Sequence, residues 1–226
     1  CEIDKLIGHA PPLPPQQTQP ADDSGRRRTA VERVLREATD RRVVTDYLVS
    51  RGLRTIPAPL QGHRAMPYYD ANGQLVGRFP AVVAPVHGPD GTLQSAHRIY
   101  VGDVSPRKKL MRPIDTVKGG AIRLFDVADT VGIAEGVETA VACYERDGVP
   151  TWAALSATIL EQFQPPEGVT TVIVYGDHDL NFAGQRSAYV LANRLVREGY
   201  LVQVEIPSVP GDWLDIHAAT EVAHAV

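Results

Sequence analysis

The hydrophobic pattern changes period along the chain of 226 residues, from helical to alternating to strand-then-helix. In residues 29–50, "TAVERVLREATDRRVVTDYLVS", apolar positions recur at helical spacing. Val31, Val34, Leu35 and Ala38 share one face, and Val44, Tyr47 and Leu48 share a second, with a break predicted near Thr45. "SRGL" then closes the helix with Gly52, the residue type that most readily takes the left-handed turn of a C-terminal cap. Residues 65–104 read as β structure. The short runs "QLVGRF", "AVVAPVH" and "LQSAHRIYV" are parted by the turn signals "DANG" and "GPDG" and fit a small antiparallel sheet. Residues 105–120, "SPRKKLMRPIDTVKGG", read as a basic loop.

From residue 121 the rhythm becomes strand, helix, strand. "AIRLF", "TVGIAEG", "TWAALS", "TTVIVYGDHD" and "YLVQVEIP" are the predicted strands. "VETAVACYERDG" and "GQRSAYVLANRLVREG" are the helices between them, and "DWLDIHAATEVAHAV" is a turn followed by a last helix. The nearly continuous apolar run of "VIVY" is what a parallel strand covered on both faces requires. The fold class is therefore α/β: an open, mostly parallel sheet flanked by helices, preceded by a small helical and β-rich region.

The proline-rich, aperiodic stretch at 10–25 reads as a linker, giving three parts: 1–28 as linker or upstream tail, 29–118, and 119–226. The chain opens on Cys1, which leaves room for residues upstream. No apolar run reaches the roughly 18 residues of a membrane span, and cytoplasmic residence is the default expectation. The two cysteines, Cys1 and Cys143, have no companions at metal-binding spacing, so Cys143 is expected to be a buried thiol. The net charge of −4 argues against a generally basic DNA-coating protein. It is unevenly spread: residues 26–54 hold nine Arg against four acids, either ordinary surface charge or a phosphate-contacting face.

Acidic residues follow the apolar strands. Glu135 closes "VGIAEG", and Asp177 and Asp179 close "VIVYGDHD". In open α/β sheets the carboxyl ends of strands carry the active site. Two acids two residues apart in an extended segment point the same way and suit one hard cation, Mg²⁺ with Mn²⁺ as the alternative. Glu135, followed by the permissive Gly136, is a candidate metal ligand or general base. Glu138 either joins the site or serves the helix dipole. Asp212 and Asp215 in "PGDWLD" supply a further acidic group, with Asp215 equally suited to cap the last helix.

"IAEGVETAVA" and "VIVYGDHDLNFAGQRSA" resemble the two signatures of the Toprim domain family, over roughly residues 119–226. "YLVSRGL", "KGGAIRL" and "PGDWLD" are more specifically similar to the Toprim primases of plasmids, phages and integrated elements, extending the resemblance to 29–226 with a primase-associated region ahead of the Toprim fold. The resemblance implies Glu135 as acid–base or metal residue, Asp177 and Asp179 as metal ligands, and Asp212 and Asp215 around a second metal. Lys118, Gly119, Gly120 and Arg123 match a segment near the nucleotide, and His178 points away from the metal. The implied activity is synthesis of short RNA primers on single-stranded DNA from ribonucleoside triphosphates.

Lys109, in the basic loop, is a further candidate for the nucleotide charge, and Arg98, just ahead of it, another. Arg64, Tyr68, Tyr69, Arg78, His97, Arg98 and Tyr100 are candidates for a template groove, with plain sheet packing as the other reading of the aromatics. The zinc module common among bacterial-type primases is not complete here, and no Walker A loop occurs, so a separate helicase or a missing zinc-binding module is an expected partner. A Toprim-type nuclease, or a non-catalytic module binding nucleic acid or a replication partner, is the alternative. A topoisomerase would need a separate DNA-gate domain with a nucleophilic Tyr.

Overall fold

A computed structural model describes residues 23–224; Cys1 and all but the last three residues of the proline-rich stretch lie outside them. Helix α1 (Ser24–Glu37) starts five residues before the helical spacing shows in the sequence. The break before α2 (Arg41–Ser50) falls at 38–40 and not near Thr45. Asp40 decides this: its carboxylate accepts from the Arg42 N–H at 3.1 Å and caps α2. Thr45 stays inside the helix, its hydroxyl donating back to the Arg41 carbonyl at 3.3 Å. Gly52, at φ +79°, ends the helix as expected.

Four strands then form an antiparallel sheet in the order β1 (Gln61–Tyr69), β2 (Leu75–His87), β3 (Leu93–Tyr100), β4 (Lys108–Leu110). Two sequence runs expected as separate strands are one, β2, which continues through Pro80. Strand β1 is hidden in the sequence because its pairing with β2 is irregular twice, between His63 and Met66 and again at Tyr68 and Tyr69, which disturbs the two-residue period. Strand β4 lies in the segment read as a basic loop.

The second sheet is parallel throughout, in the order β6 (Thr151–Ala153), β5 (Thr130–Ala134), β7 (Thr171–Tyr175), β8 (Leu201–Glu205). Helices α3 (Val137–Asp147) and α6 (Trp213–His224) pack together, as do α4 (Ala157–Glu161) and α5 (Ala183–Arg197). "AIRLF" is not a strand of either sheet. Ala121 pairs with His87 of β2 and the next residue, Ile122, pairs with Ala153 of β6, so this segment stitches one sheet to the other. The seam is apolar inside. Val82, Ala84 and Ile99 of the first sheet share one buried cluster with Ala134, Val137, Ala140 and Leu214 of the second part. Cys143 is buried in the same cluster. Among the described residues no helix is long and apolar enough to cross a membrane.

Candidate active site

From β5 the chain crosses to β6 on one side and later to β7 on the other. The carboxyl ends of β5 and β7 therefore flank a topological switch point, where open α/β sheets bind ligands. Glu135 follows β5 there, and Asp177 follows β7. A cleft of about 130 Å³ is lined by Glu135, Asp177 and Asp212 from the parallel sheet and its loops, by Lys108 and His97 from the antiparallel sheet, and by Gly136, Val137, Thr139 and Leu155.

Asp212 reaches the cleft by a backbone clamp. His178 and Gly211 exchange two hydrogen bonds, 3.0 and 3.1 Å, which lay the 210–212 segment along the end of β7. Gly211 sits at φ +133°, a conformation that L side chains rarely adopt, and a Cβ there would stand 2.9 Å from an Asp215 carboxylate oxygen. The His178 ring turns away to Pro207, with Nδ1 2.7 Å from its carbonyl oxygen. Asp215 is occupied with α6: its carboxylate accepts from the Asp212 N–H at 3.2 Å while that of Asp212 accepts from the Asp215 N–H at 2.9 Å. This reciprocal pair is the arrangement of a capping box.

Asp177 and Asp179 are not equivalent. Asp177 has a buried Oδ1 with no hydrogen-bond partner. Its carboxyl is pushed up to about 7, first by burial and then by Asp212, Glu135 and Asp179. Asp179 Oδ2 accepts from the Gly184 N–H at 2.8 Å at the start of α5. Its backbone is locked by Gln185, whose side chain accepts from the Asp179 N–H at 3.1 Å and donates to the Asp179 carbonyl at 3.0 Å. Glu135 is also raised, by burial first and then by Asp179, with Lys108 opposing.

Acids that raise one another's proton affinity in a half-buried cleft would be relieved by a bound cation. Among the described residues no three or more His, Cys, Asp or Glu side chains are grouped so as to hold a metal ion by themselves. Mg²⁺ does not require such a group, since it is held by one or two carboxylates together with waters and substrate phosphates. The orphaned Asp177 oxygen and the mutual repulsion of the acids fit such an ion.

Leu155, which lines the cleft, is left-handed at φ 76° without being glycine. Such backbones collect at functional sites. Its N–H donates to the Glu135 carbonyl at 2.7 Å, fixing the backbone of the glutamate.

The basic residues are distributed differently from the sequence reading. In β4 alternate side chains face opposite ways. Lys108, opposite Ile99, faces the acids; Lys109, opposite Arg98, faces the far side of the sheet. There the Lys109 ammonium lies 3.7 Å from the centre of the Tyr68 ring and donates to the Tyr69 carbonyl. Arg98 donates to the Tyr100 hydroxyl at 3.2 Å on that same side. Arg123 is held by the Gly88 and Pro89 carbonyls at 2.6 and 2.9 Å and stacks over Trp152, outside the cleft. Lys118 is exposed and is not among the cleft residues.

Of the template-groove candidates, Tyr68 and Tyr100 are buried, and their hydroxyls donate to the Ser105 and Pro67 carbonyls at 2.6 and 2.9 Å, so these aromatics pack the sheet. Tyr69 is half exposed. Arg64 pairs with Asp40 at 2.5 Å, and Arg78 donates to the Ala65 carbonyl at 3.3 Å. His97 is the exception: it lines the acidic cleft, its Nδ1 has no partner, and burial followed by Lys108 pushes it down to about 4, leaving a neutral imidazole. Several arginines of the 26–54 segment serve the fold. Arg41 donates to the Ile56 and Leu60 carbonyls at 2.9 and 2.5 Å, and Arg27 to Pro113 at 3.0 Å.

Comparison with known proteins bears on the fold. The Toprim domain family profile matches residues 130–221, and a domain of unknown function, DUF7146, matches residues 25–124. No curated protein matches the chain. Among solved structures, the chain is similar to a DNA primase domain from Pseudomonas aeruginosa (TM-score 0.56, 16% identity, covering 89% of this chain and 77% of that one). It is similar also to a DnaG primase catalytic domain bound to single-stranded DNA (TM-score 0.60, 14% identity, 89% and 81%). A third likeness is to the zinc-binding and RNA polymerase domains of the Aquifex aeolicus primase (TM-score 0.56, 15% identity, 94% of this chain and 62% of that one). Residues 130–221 thus match the Toprim domain family, on a chain whose fold is similar to that of primase catalytic cores.

Proposed function

We propose that the chain is a metal-dependent nucleotidyltransferase of the DNA primase type, joining ribonucleotides into short primers on single-stranded DNA. The observation that carries this reading is the cleft itself. The acids Glu135, Asp177 and Asp212 gather at the switch point of the parallel sheet, with the orphaned oxygen of Asp177 among them and the Lys108 cation opposite.

Asp177 and Asp212, which line the cleft, are the residues that would hold Mg²⁺ or Mn²⁺ together with waters and substrate phosphate, with Glu135 beside them, Asp179 drawn to the Gly184 N–H and Asp215 committed to α6. A divalent ion bound there supplies neutralisation of the phosphates and activation of the attacking oxygen. Glu135, with its raised proton affinity, takes the proton of the attacking 3′-hydroxyl. That oxygen bonds to the α-phosphorus of the incoming nucleotide as the bond to pyrophosphate breaks. Lys108, in place of Lys109, faces the phosphates and offsets the charge that accumulates on the leaving group. His97, uncharged, borders the same cleft without adding charge to it.

Primer synthesis on mixed-sequence single-stranded DNA with four ribonucleoside triphosphates and Mg²⁺ or Mn²⁺ tests this, with labelled DNA as a cleavage control. New oligonucleotides that vanish in Asp177→Ala/Asp179→Ala are expected. Mutant-sensitive cleavage without synthesis would replace the reading with a Toprim nuclease. Binding of single-stranded DNA with neither activity would replace it with a binding module.

A further inference from the structure

Glu138 is a buried carboxylate, only 4% exposed, that the proposed reaction leaves unused. It stands on the first turn of α3, three residues beyond Glu135, yet it does not line the cleft. Both its oxygens are taken. Oε1 accepts a short hydrogen bond from the Tyr47 hydroxyl of α2, and Oε2 pairs with the Lys108 ammonium of β4 at 3.0 Å. Burial alone would raise this carboxyl, but Lys108 and the Tyr47 hydrogen bond outweigh it and hold it below the usual range, as a charged acceptor. Burial and the neighbouring Glu138 push the Tyr47 phenol up, which keeps it a donor.

Lys108 lies between two sets of acids. It lines the cleft and acts on Glu135 and Asp177, lowering the proton affinity of both. A Cβ on Gly136 would stand 3.8 Å from its Nζ and 3.7 Å from Glu138 Oε2, so the pair sits against the turn that directly follows Glu135. An ammonium on a four-carbon stem is mobile. Released from Glu138, it has the unneutralised Glu135 and Asp177 within its field, in the place a divalent ion would occupy.

We propose that Glu138 is a positioning residue: braced by Tyr47, it holds the Lys108 ammonium against the cleft wall, where it meets a nucleotide's phosphates without competing with the metal for the carboxylates. This rests on the reading that the cleft takes a divalent ion. It also gives α2, in the part of the chain ahead of the Toprim domain, a hand in metal affinity through Tyr47.

The test is Mn²⁺ binding by isothermal titration and by the loss of free-ion electron paramagnetic resonance signal. Wild type, Glu138→Gln, Tyr47→Phe, Lys108→Met, Glu138→Gln/Lys108→Met and Asp177→Asn are compared, and folding is followed by circular dichroism. Glu138→Gln is expected to weaken Mn²⁺ by roughly tenfold, the low end for an outer-shell partner, and Tyr47→Phe by less. Lys108→Met is expected to bind at least as tightly as wild type, and the double variant to match Lys108→Met, since the loss acts through the lysine. An unchanged Glu138→Gln, or an equal loss with Met at 108, would overturn the positioning role while leaving the metal cleft intact. No Mn²⁺ binding in wild type, or binding indifferent to Asp177→Asn, would overturn the metal reading and this proposal with it.

Discussion

Replacing Gly184 with alanine sets two ordinary effects against each other. Gly184 is the second residue of α5, and in a helix interior alanine is worth up to about 1 kcal/mol over glycine. The added Cβ, however, would stand 2.6 Å from the Asp177 carbonyl oxygen and 2.9 Å from its Cβ. Neither atom can swing aside as a flexible chain end would, so α5 or the end of β7 must move. Overpacking of this kind costs about 1–3 kcal/mol. The movement also strains the 2.8 Å bond from the Gly184 N–H to the Asp179 carboxylate, and hydrogen bonds to charged groups are worth about 1.5–3 kcal/mol. The clash wins. A net loss of about 2 kcal/mol lowers the melting temperature by roughly 4–8 °C for a chain of this size. Calorimetry reads the stability, and Mn²⁺ titration reads the displacement of Asp177. A Gly184→Ala protein that melts at or above wild type with unchanged Mn²⁺ affinity would refute the close approach of α5 to Asp177.

Asp177 carries a pH signature: its folded value of about 7 lies above the ordinary 3.8. The folded state thus holds this proton more tightly, and its contribution to stability is full below pH 3.8 and lost as pH rises through about 7. The metal-free melting temperature should therefore fall more steeply between about pH 5 and pH 8 in wild type than in Asp177→Asn. Tyr68→Phe removes the 2.6 Å bond to Ser105 and should cost about 1 kcal/mol in urea unfolding, with single-stranded DNA affinity unchanged by fluorescence anisotropy. Arg98→Ala should likewise leave that affinity unchanged, because the side chain faces the Tyr68 and Tyr100 side of the sheet. Gly211→Ala, strained at φ +133°, should loosen the clamp to His178 and weaken Mn²⁺ binding in the same titration.

The parallel-sheet part was largely legible because its two central strands, β5 and β7, lead into acids. A parallel strand buried on both faces leaves a near-continuous apolar run, and the first polar residue after it marks the sheet edge. Glu135 and Asp177 are such residues; Asp212 lies beyond a longer loop after the last strand and is brought in by the His178–Gly211 pairing. The two-residue spacing of Asp177 and Asp179 misled in one respect: the turn into α5 draws the Asp179 carboxylate to the Gly184 N–H. Lys108 and Lys109 could not be told apart by sequence. Their facing depends on the register of β4 against Arg98 and Ile99, which pairing fixes and composition does not. Tyr47 is an apolar-face residue by spacing, and only its packing against α3 shows that its hydroxyl meets Glu138. "AIRLF" has strand composition, but its neighbouring residues are claimed by two different sheets.

That double claim has a mechanical consequence. Four backbone hydrogen bonds, two exchanged between Ala121 and His87 and two between Ile122 and Ala153, leave no slack residue between one sheet and the other. The jaws of the cleft, Lys108 on one side and Asp177 on the other, belong to these two sheets, and the shared apolar cluster fills the space behind them. Swinging them apart would shear the seam and expose that cluster to water. The aperture is therefore set when the chain folds. It behaves as a fixed gauge, and not as a hand that closes.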